Sequence, residues 1–163
     1  MPLLEVKNLR TFFKTKKGIV KAVNDVSYTL EPGKTIGIVG ESGSGKSQSA
    51  MSILQILDSA RVVHLGMVDG DEPYVVPMNY GYTLEGEKLT FYLHSALRGK
   101  KLDMLRANPS VFVELDCDLK PFNGVKPCQY GLSYSSVMAR GTARIVEDVE
   151  EKMEAMTVLM KTQ

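Results

Sequence analysis

The chain has no tryptophan, two cysteines and two histidines among 163 residues, and no long apolar run. Cys117 and Cys128 are too few and too isolated to frame a small disulfide-stapled domain. Their spacing from His64 and His94 matches no zinc-ligand pattern. They read as ordinary cysteines of a reducing compartment, so the cytoplasm is the expected location. Without a run long enough to cross a bilayer, direct membrane insertion is not expected. The start, Met1-Pro2-Leu3-Leu4-Glu5-Val6-Lys7, lacks the layout of a secretory leader. Net charge is also scarce, at +1. It divides unevenly: residues 1–57 carry eight Lys/Arg against four Asp/Glu, residues 58–163 twelve against fifteen. Neither part is basic enough to imply nucleic acid, but the contrast points to segments of different character.

The most specific motif is Gly40-Glu41-Ser42-Gly43-Ser44-Gly45-Lys46-Ser47, which fits the phosphate-binding pattern G-x-x-x-x-G-K-[ST]. An apolar run, Thr35-Ile36-Gly37-Ile38-Val39, enters it as an expected strand, and Gln48 to Leu57 leave it as an expected helix. Glycines let backbone N–H groups turn inward around phosphate oxygens, and a helix N-terminus adds partial positive charge there. Lys46 would reach the terminal phosphates, and the Ser47 hydroxyl would ligate Mg²⁺. The strand–loop–helix context speaks against a mere Gly/Ser-rich linker.

Upstream, residues 3–13 and 19–30 read as two extended runs around a polar turn at Lys14–Gly18. Glu31-Pro32-Gly33-Lys34 reads as a tight turn. Together "LLEVKNLRTFFKTKKGIVKAVNDVSYTLEPGKTIGIVGESGSGKSQSAMSILQIL" resembles the N-terminus of an ABC transporter ATP-binding subunit of the oligopeptide/dipeptide importer type. The resemblance implies that Phe13 stacks on adenine and that Gly40, Gly43, Gly45, Lys46 and Ser47 hold the triphosphate and Mg²⁺. That family also needs a Gln-containing loop, an LSGGQ-type signature, an apolar strand ending in Asp-Glu and a switch His, and none follows in recognisable form. Val62–Asp69 and Val111–Asp116 imitate the Asp-Glu strand, but both read better as strands of another fold. ATP hydrolysis is therefore not expected.

Beyond Leu57 the texture changes to strands in sequence with one inserted helix, which argues for an antiparallel barrel. Strands are expected over Arg61–Val68, Glu72–Tyr82, Leu89–His94, Ser110–Asp116 and Ser135–Val146, with turns at Asp69-Gly70 and Glu85-Gly86-Glu87-Lys88 and a loop over Asp118–Tyr130. Pro73 and Pro77 mark the second strand as edge or bulged. A helix from Ser95 to about Asn108 would bury Leu102 and Leu105. A last helix, opened by Asp148 and Glu151, would turn Met153, Met156 and Leu159 to the core. The segments "RVVHLGMVDGDEPYVVPMNYGY", "KLTFYLHSALRGKKLDMLRANPSVFVELD" and "YSSVMARGTARIVEDVEEKMEAM" resemble the pyridoxamine 5′-phosphate oxidase-like split barrel, and within it the Nim-like (nitroimidazole-resistance) flavoproteins.

That resemblance implies FMN bound between two protomers of a homodimer. Pro77, Met78, Asn79 and Tyr80 would line the isoalloxazine ring. His94, Ser95 and Ala96 would follow the ribityl and phosphate side, and Arg98, Lys100 and Lys101 would bind the phosphate. His94 is a weak candidate for a catalytic neighbour. Cations in a helix's first turn oppose its dipole, and a bound phosphate would relieve that conflict. The family continues with a closing strand beyond the point where this sequence stops, so the barrel is expected to be C-terminally truncated.

The expectation is thus an α+β chain: residues 1–57 a partial P-loop NTPase β/α fragment, residues 58–163 a flavin-binding split barrel. The two resemblances meet near Ile56–Ala60, so Lys46–Ser59 is expected to form one helix bracing the barrel through Met51, Leu54, Ile56 and Leu57. The function expected is that of an FMN-dependent oxidoreductase carrying a non-hydrolytic extension. The alternatives are a fragment of a peptide-importer ATP-binding subunit, which would partner transporter membrane subunits, or a gene-level chimera with neither activity.

Overall fold

The computed structural model describes residues 4–162 except 17, 32, 33, 35, 86 and 87. The chain begins with a hairpin, β1 (Leu4–Thr15) and β2 (Gly18–Leu30). Helix α1 (Lys46–Ser59) follows the glycine-rich loop. Then come β3 (Val63–Asp69), β4 (Glu72–Met78), β5 (Tyr80–Glu85), β6 (Lys88–Leu93), α2 (Lys100–Ala107), β7 (Ser110–Phe122), β8 (Gly131–Thr142) and α3 (Val149–Lys161). No helix among the described residues is long and apolar enough to cross a membrane.

Every strand pairing is antiparallel. One sheet has six strands in the order β2-β1-β8-β7-β3-β4, and β5 pairs β6 in a second. The β3–β4 turn is Gly70-Asp71, with Gly70 at φ +61°. Strand β4 is the sheet's edge, as its two prolines require, since neither can donate to a ladder. The chain leaves that edge at Asn79 and enters the second sheet at Tyr80. Among the described residues, the N-terminal hairpin joins the large sheet through Leu4, which pairs with Ala139.

The core lies between the inner face of the large sheet and the elements that cross it. Val63, Leu65 and Met67 alternate inward from β3, and Val113, Leu115 and Cys117 from β7. Ile56 and Leu57 of α1 complete it, with Met104 of α2. Burying the Leu57 side chain alone stabilises this junction by about 1.5–3 kcal/mol. The helix therefore braces the sheet, although Met51 stays 55% exposed. Two buried serines on α1 are satisfied locally: Ser49 donates to the Gly45 carbonyl and Ser52 to that of Gln48. Ser52 Oγ also lies 2.6 Å from Thr11 Oγ1, tying the hairpin to the helix.

Several expected elements move. Ile36 to Gly40 form no strand, and Val39 is 92% exposed. An extended run becomes a strand only when a neighbour takes up its backbone groups, and here none is paired to it. Residues Pro32, Gly33 and Thr35 of the expected turn and strand, and Gly86 and Glu87 of the later turn, lie outside the described residues, as does Lys17. Helix α2 begins at Lys100 rather than near Ser95, because Gly99 at φ +138° breaks helical geometry just before it. Its buried residue is Met104, with Leu102 and Leu105 half-buried. Strand β7 extends into the expected Asp118–Tyr130 loop as far as Phe122, and β8 runs over Gly131–Thr142 instead of Ser135–Val146, leaving residues 123–130 as the connection. In α3, Asp148 Oδ1 accepts the Glu151 N–H as a cap should. Of the residues expected to face the core, Leu159 is buried, whereas Met153 and Met156 are exposed. Gly81 explains it, since a Cβ there would stand 2.7 Å from Leu159 Cα. The helix backbone itself lies on β5, so short side chains such as Ala155 occupy the contact face.

Candidate functional site

The chain folds so that the end of β4 and the start of α2 meet. Residues Pro77 to Tyr80 lie about twenty positions before the basic cluster Arg98, Lys100 and Lys101. Lys101 Nζ approaches Met78 Sδ at 4.0 Å, which joins the two segments. Lys100 Nζ pairs with Asp69 Oδ2 at 3.1 Å and lies over the Tyr74 ring at 5.2 Å from its centre. Arg98 is exposed and has no ion-pair partner among the described residues. The α2 N-cap is Gly99, so no side chain accepts from the first-turn amides. Two uncompensated cations and uncapped helix N–H groups form a place where a phosphate dianion fits.

Beside this cluster the chain reverses sheets. A cavity of about 210 Å³ is lined by Ala60, Arg61, Asn79, Tyr80 and Thr162. Asn79, between β4 and β5, is exposed to it; Pro77 is exposed on the edge strand. Tyr80 serves the core more than the opening. Its ring is 3% exposed and stands edge-on to Phe91, with centroids 5.8 Å apart. Its hydroxyl donates to the Leu57 carbonyl at 2.5 Å, with the Ala60 carbonyl at 3.2 Å. Burial, then the charges of Asp58 and Cys117, push its pKa up to about 12. Tyr82 donates to Asp58 Oδ1 at 2.6 Å; burial first, then Asp58, pushes it up to about 12 as well. His94, Ser95 and Ala96 are all exposed between β6 and α2, and Ser95 Oγ donates to the Ala96 carbonyl. Arg98 precedes α2 instead of lying within its first turn.

The glycine-rich loop keeps its geometry at the helix entry. Gly43 and Gly45 adopt φ +82° and +90°. A Cβ on Gly45 would stand 2.2 Å from the Ala22 carbonyl oxygen, so only glycine lets the loop close on β2. Lys46 Nζ donates to the carbonyls of Gly40 and Glu41, each at 2.6 Å, and to Ser44 Oγ at 3.2 Å. Ser47 is exposed in the first turn of α1. Phe13 is exposed on β1 opposite Val20.

Reading the chain residue by residue missed one side-chain group. His64, Glu114 and Asp116 bring one donor atom each to within 4.8 Å of the others. His64 and Glu114 are fifty positions apart, and only the β3–β7 register joins them. No local pattern carries that information.

Comparison with known proteins separates the two parts of the chain. The sequence profile of the pyridoxamine 5′-phosphate oxidase family matches residues 49–163. The fold is similar to that of a candidate 5-nitroimidazole antibiotic resistance protein from Bacteroides thetaiotaomicron, with 34% identity and a TM-score of 0.58 over 69% of this chain and 64% of that one. It is also similar to the flavocytochrome Anf3 of Azotobacter vinelandii, with a TM-score of 0.56 over 69% of this chain and 50% of that one; at 20% identity this speaks to fold alone. Curated relatives match differently. The oligopeptide transport ATP-binding protein OppD of Haemophilus influenzae is 61% identical over 56 residues, 34% of this chain. OppD of Salmonella typhimurium is 44% identical over 89 residues, 54% of this chain. The chain spans 17% and 27% of the length of these two proteins. Two resemblances are thus joined in one chain.

Proposed function

Since the chain belongs to the pyridoxamine 5′-phosphate oxidase family through residues 49–163, we propose that it is a flavin-binding protein of the Nim-like type. FMN is the proposed cofactor and oxidoreduction the proposed activity, in a split-barrel homodimer of the cytoplasm. Arg98, Lys101 and the open N–H groups of α2 would hold the phosphate, with Lys100 shared between Asp69 and that site. Pro77, Met78 and Asn79 would border the ring, and Tyr80 would fix the backbone of the last of these from below. His94, Ser95 and Ala96 would lie along the intervening chain. When bound, the flavin would supply the electron-transfer chemistry, and the protein would position it and exclude water.

One observation carries this reading: Lys101 Nζ lies 4.0 Å from Met78 Sδ, which supports a single site built from the basic turn and the sheet-switch segment. The test is titration of the purified full chain with FMN, followed by flavin fluorescence, together with sedimentation to give the oligomeric state. Saturable quenching that weakens in Lys101→Ala supports the reading; FMN that stays fully fluorescent at high protein concentration removes it.

A second reading concerns the loop at Gly40–Ser47, which closes around Lys46 Nζ through the carbonyls of Gly40 and Glu41. We propose that it binds nucleotide phosphates without hydrolysing them, as a remnant of an ATP-binding subunit. Binding of a fluorescent ATP analogue that is abolished by Lys46→Ala supports this, and an equal affinity in both proteins refutes it. Colourless protein with no affinity for nucleotide would leave a chimera with neither activity.

A further inference from the structure

We infer that His64, Glu114 and Asp116 form a binding site for one divalent first-row transition ion on the outer face of the large sheet. The inference does not depend on the flavin reading, although His64 is the register partner of Pro77, which that reading places beside the ring.

The three residues share a face by register. His64 of β3 is directly opposite Glu114 of β7. Asp116 is two positions further along β7, and side chains on a strand alternate, so it shares the face of Glu114. Their neighbours on the opposite face, Val63, Leu65, Val113, Leu115 and Cys117, are all buried. Those neighbours pin both strands, so the three ligands ride on rigid backbone, which a metal site requires.

The spacing suits one ion. His64 Nδ1 and Glu114 Oε2 are 3.0 Å apart. Metal bonds of about 2.0–2.2 Å to nitrogen and oxygen place adjacent donors about 3 Å apart. The Asp116 carboxylate has its donor within 4.8 Å of both, within reach of a rotamer adjustment.

The charge balance points the same way. Glu114 and Asp116 are half-buried like-charged neighbours. Their register partners on β8 are Met138 and Ser136, and the β4 partner of His64 is Pro77. No lysine or arginine forms an ion pair with either carboxylate among the described residues. Glu114 pairs with His64, and Asp116 has no ion-pair partner among the described residues, so a divalent cation would add the compensation that Asp116 lacks.

The donor set defines the class of ion. One imidazole nitrogen with two carboxylate oxygens favours Zn²⁺, Mn²⁺, Fe²⁺ or Co²⁺ over Mg²⁺, which prefers oxygen alone. All three ligands are partly exposed, so coordination positions remain open to water or a small anion.

Calorimetric titration of the full chain with Zn²⁺ should give one site, with Mg²⁺ binding much more weakly. His64→Ala and Asp116→Asn should each weaken Zn²⁺ by roughly tenfold or more, a loss that even outer-shell changes reach. Cys128→Ser removes the exposed thiol, a competing soft ligand, and should leave the site intact. In the unmodified protein, Co²⁺ should shift the ring resonances of His64 and not those of His94. Zn²⁺ affinity equal in all variants, or a Co²⁺ shift absent at His64, overturns the inference.

Discussion

The Tyr80 hydroxyl donates to the Leu57 carbonyl at 2.5 Å, across a boundary between two unlike stretches of sequence. Leu57 lies in the last turn of the helix that leaves the glycine-rich loop, and Tyr80 opens the second sheet. Replacing Tyr80 by Phe keeps the ring against Phe91 but leaves the helix's final carbonyls without their buried donor. We expect a loss of about 1–3 kcal/mol, read from the urea midpoint at unchanged slope.

Tyr80 and its strand neighbour Tyr82 predict an alkaline limit to stability. Tyr80 and Tyr82 are held protonated to about pH 12 in the fold, against an ordinary value of 10.0. Between these values the unfolded chain has released protons that the folded one retains, so stability falls as pH rises. Below pH 10 the contribution is complete. Denaturation midpoints measured from neutral pH upward should hold until about pH 10 and then decline. Tyr82→Phe should soften that decline, and its absence would argue against buried phenols.

Flavin affinity should depend on the phosphate. Arg98→Ala and Lys101→Ala each remove a charge-assisted contact of about 1.5–3 kcal/mol, so FMN binding should weaken roughly tenfold or more in each. Riboflavin, which lacks the phosphate, should bind the variants and the unmodified chain alike. Fluorescence titration with both ligands separates a phosphate contact from general damage.

Gly81→Ala should loosen the last helix. The new methyl would stand 2.7 Å from Leu159 Cα and 2.8 Å from its nitrogen, both backbone atoms that cannot turn aside. Overpacking of this kind costs about 1–3 kcal/mol. Hydrogen exchange should speed up first in α3 and β5.

Much of the architecture is legible from residues alone because it rests on local rules. Pro73 and Pro77 place β4 at an edge, and Asp148 starts α3, for reasons contained within a few positions. The pyridoxamine 5′-phosphate oxidase resemblance is likewise carried by contiguous segments. What is not legible depends on partners distant in sequence. Ile36–Val39 are apolar enough for a strand, yet no neighbour pairs with them. The methionines of α3 alternate as a core face would, yet Gly81 lets the opposite side approach. The His64–Glu114–Asp116 group exists only once β3 and β7 have found their register.

Among the described residues, the hairpin of β1 and β2 is paired to the main sheet at Leu4 with Ala139. It is held otherwise by the helix it contacts through Thr11 and Ser52. Cooperativity spreads through shared ladders and shared core, and among the described residues the ladder that the hairpin shares with the main sheet is short. The hairpin should therefore behave as its own melting unit, opening and reclosing many times during one lifetime of the folded core. Amides at the Leu4 end of β1 would exchange in minutes while those of Val113 and Leu115 wait for the whole molecule to unfold. A stretch attached in this way can be exchanged or lengthened with little penalty to the rest of the fold.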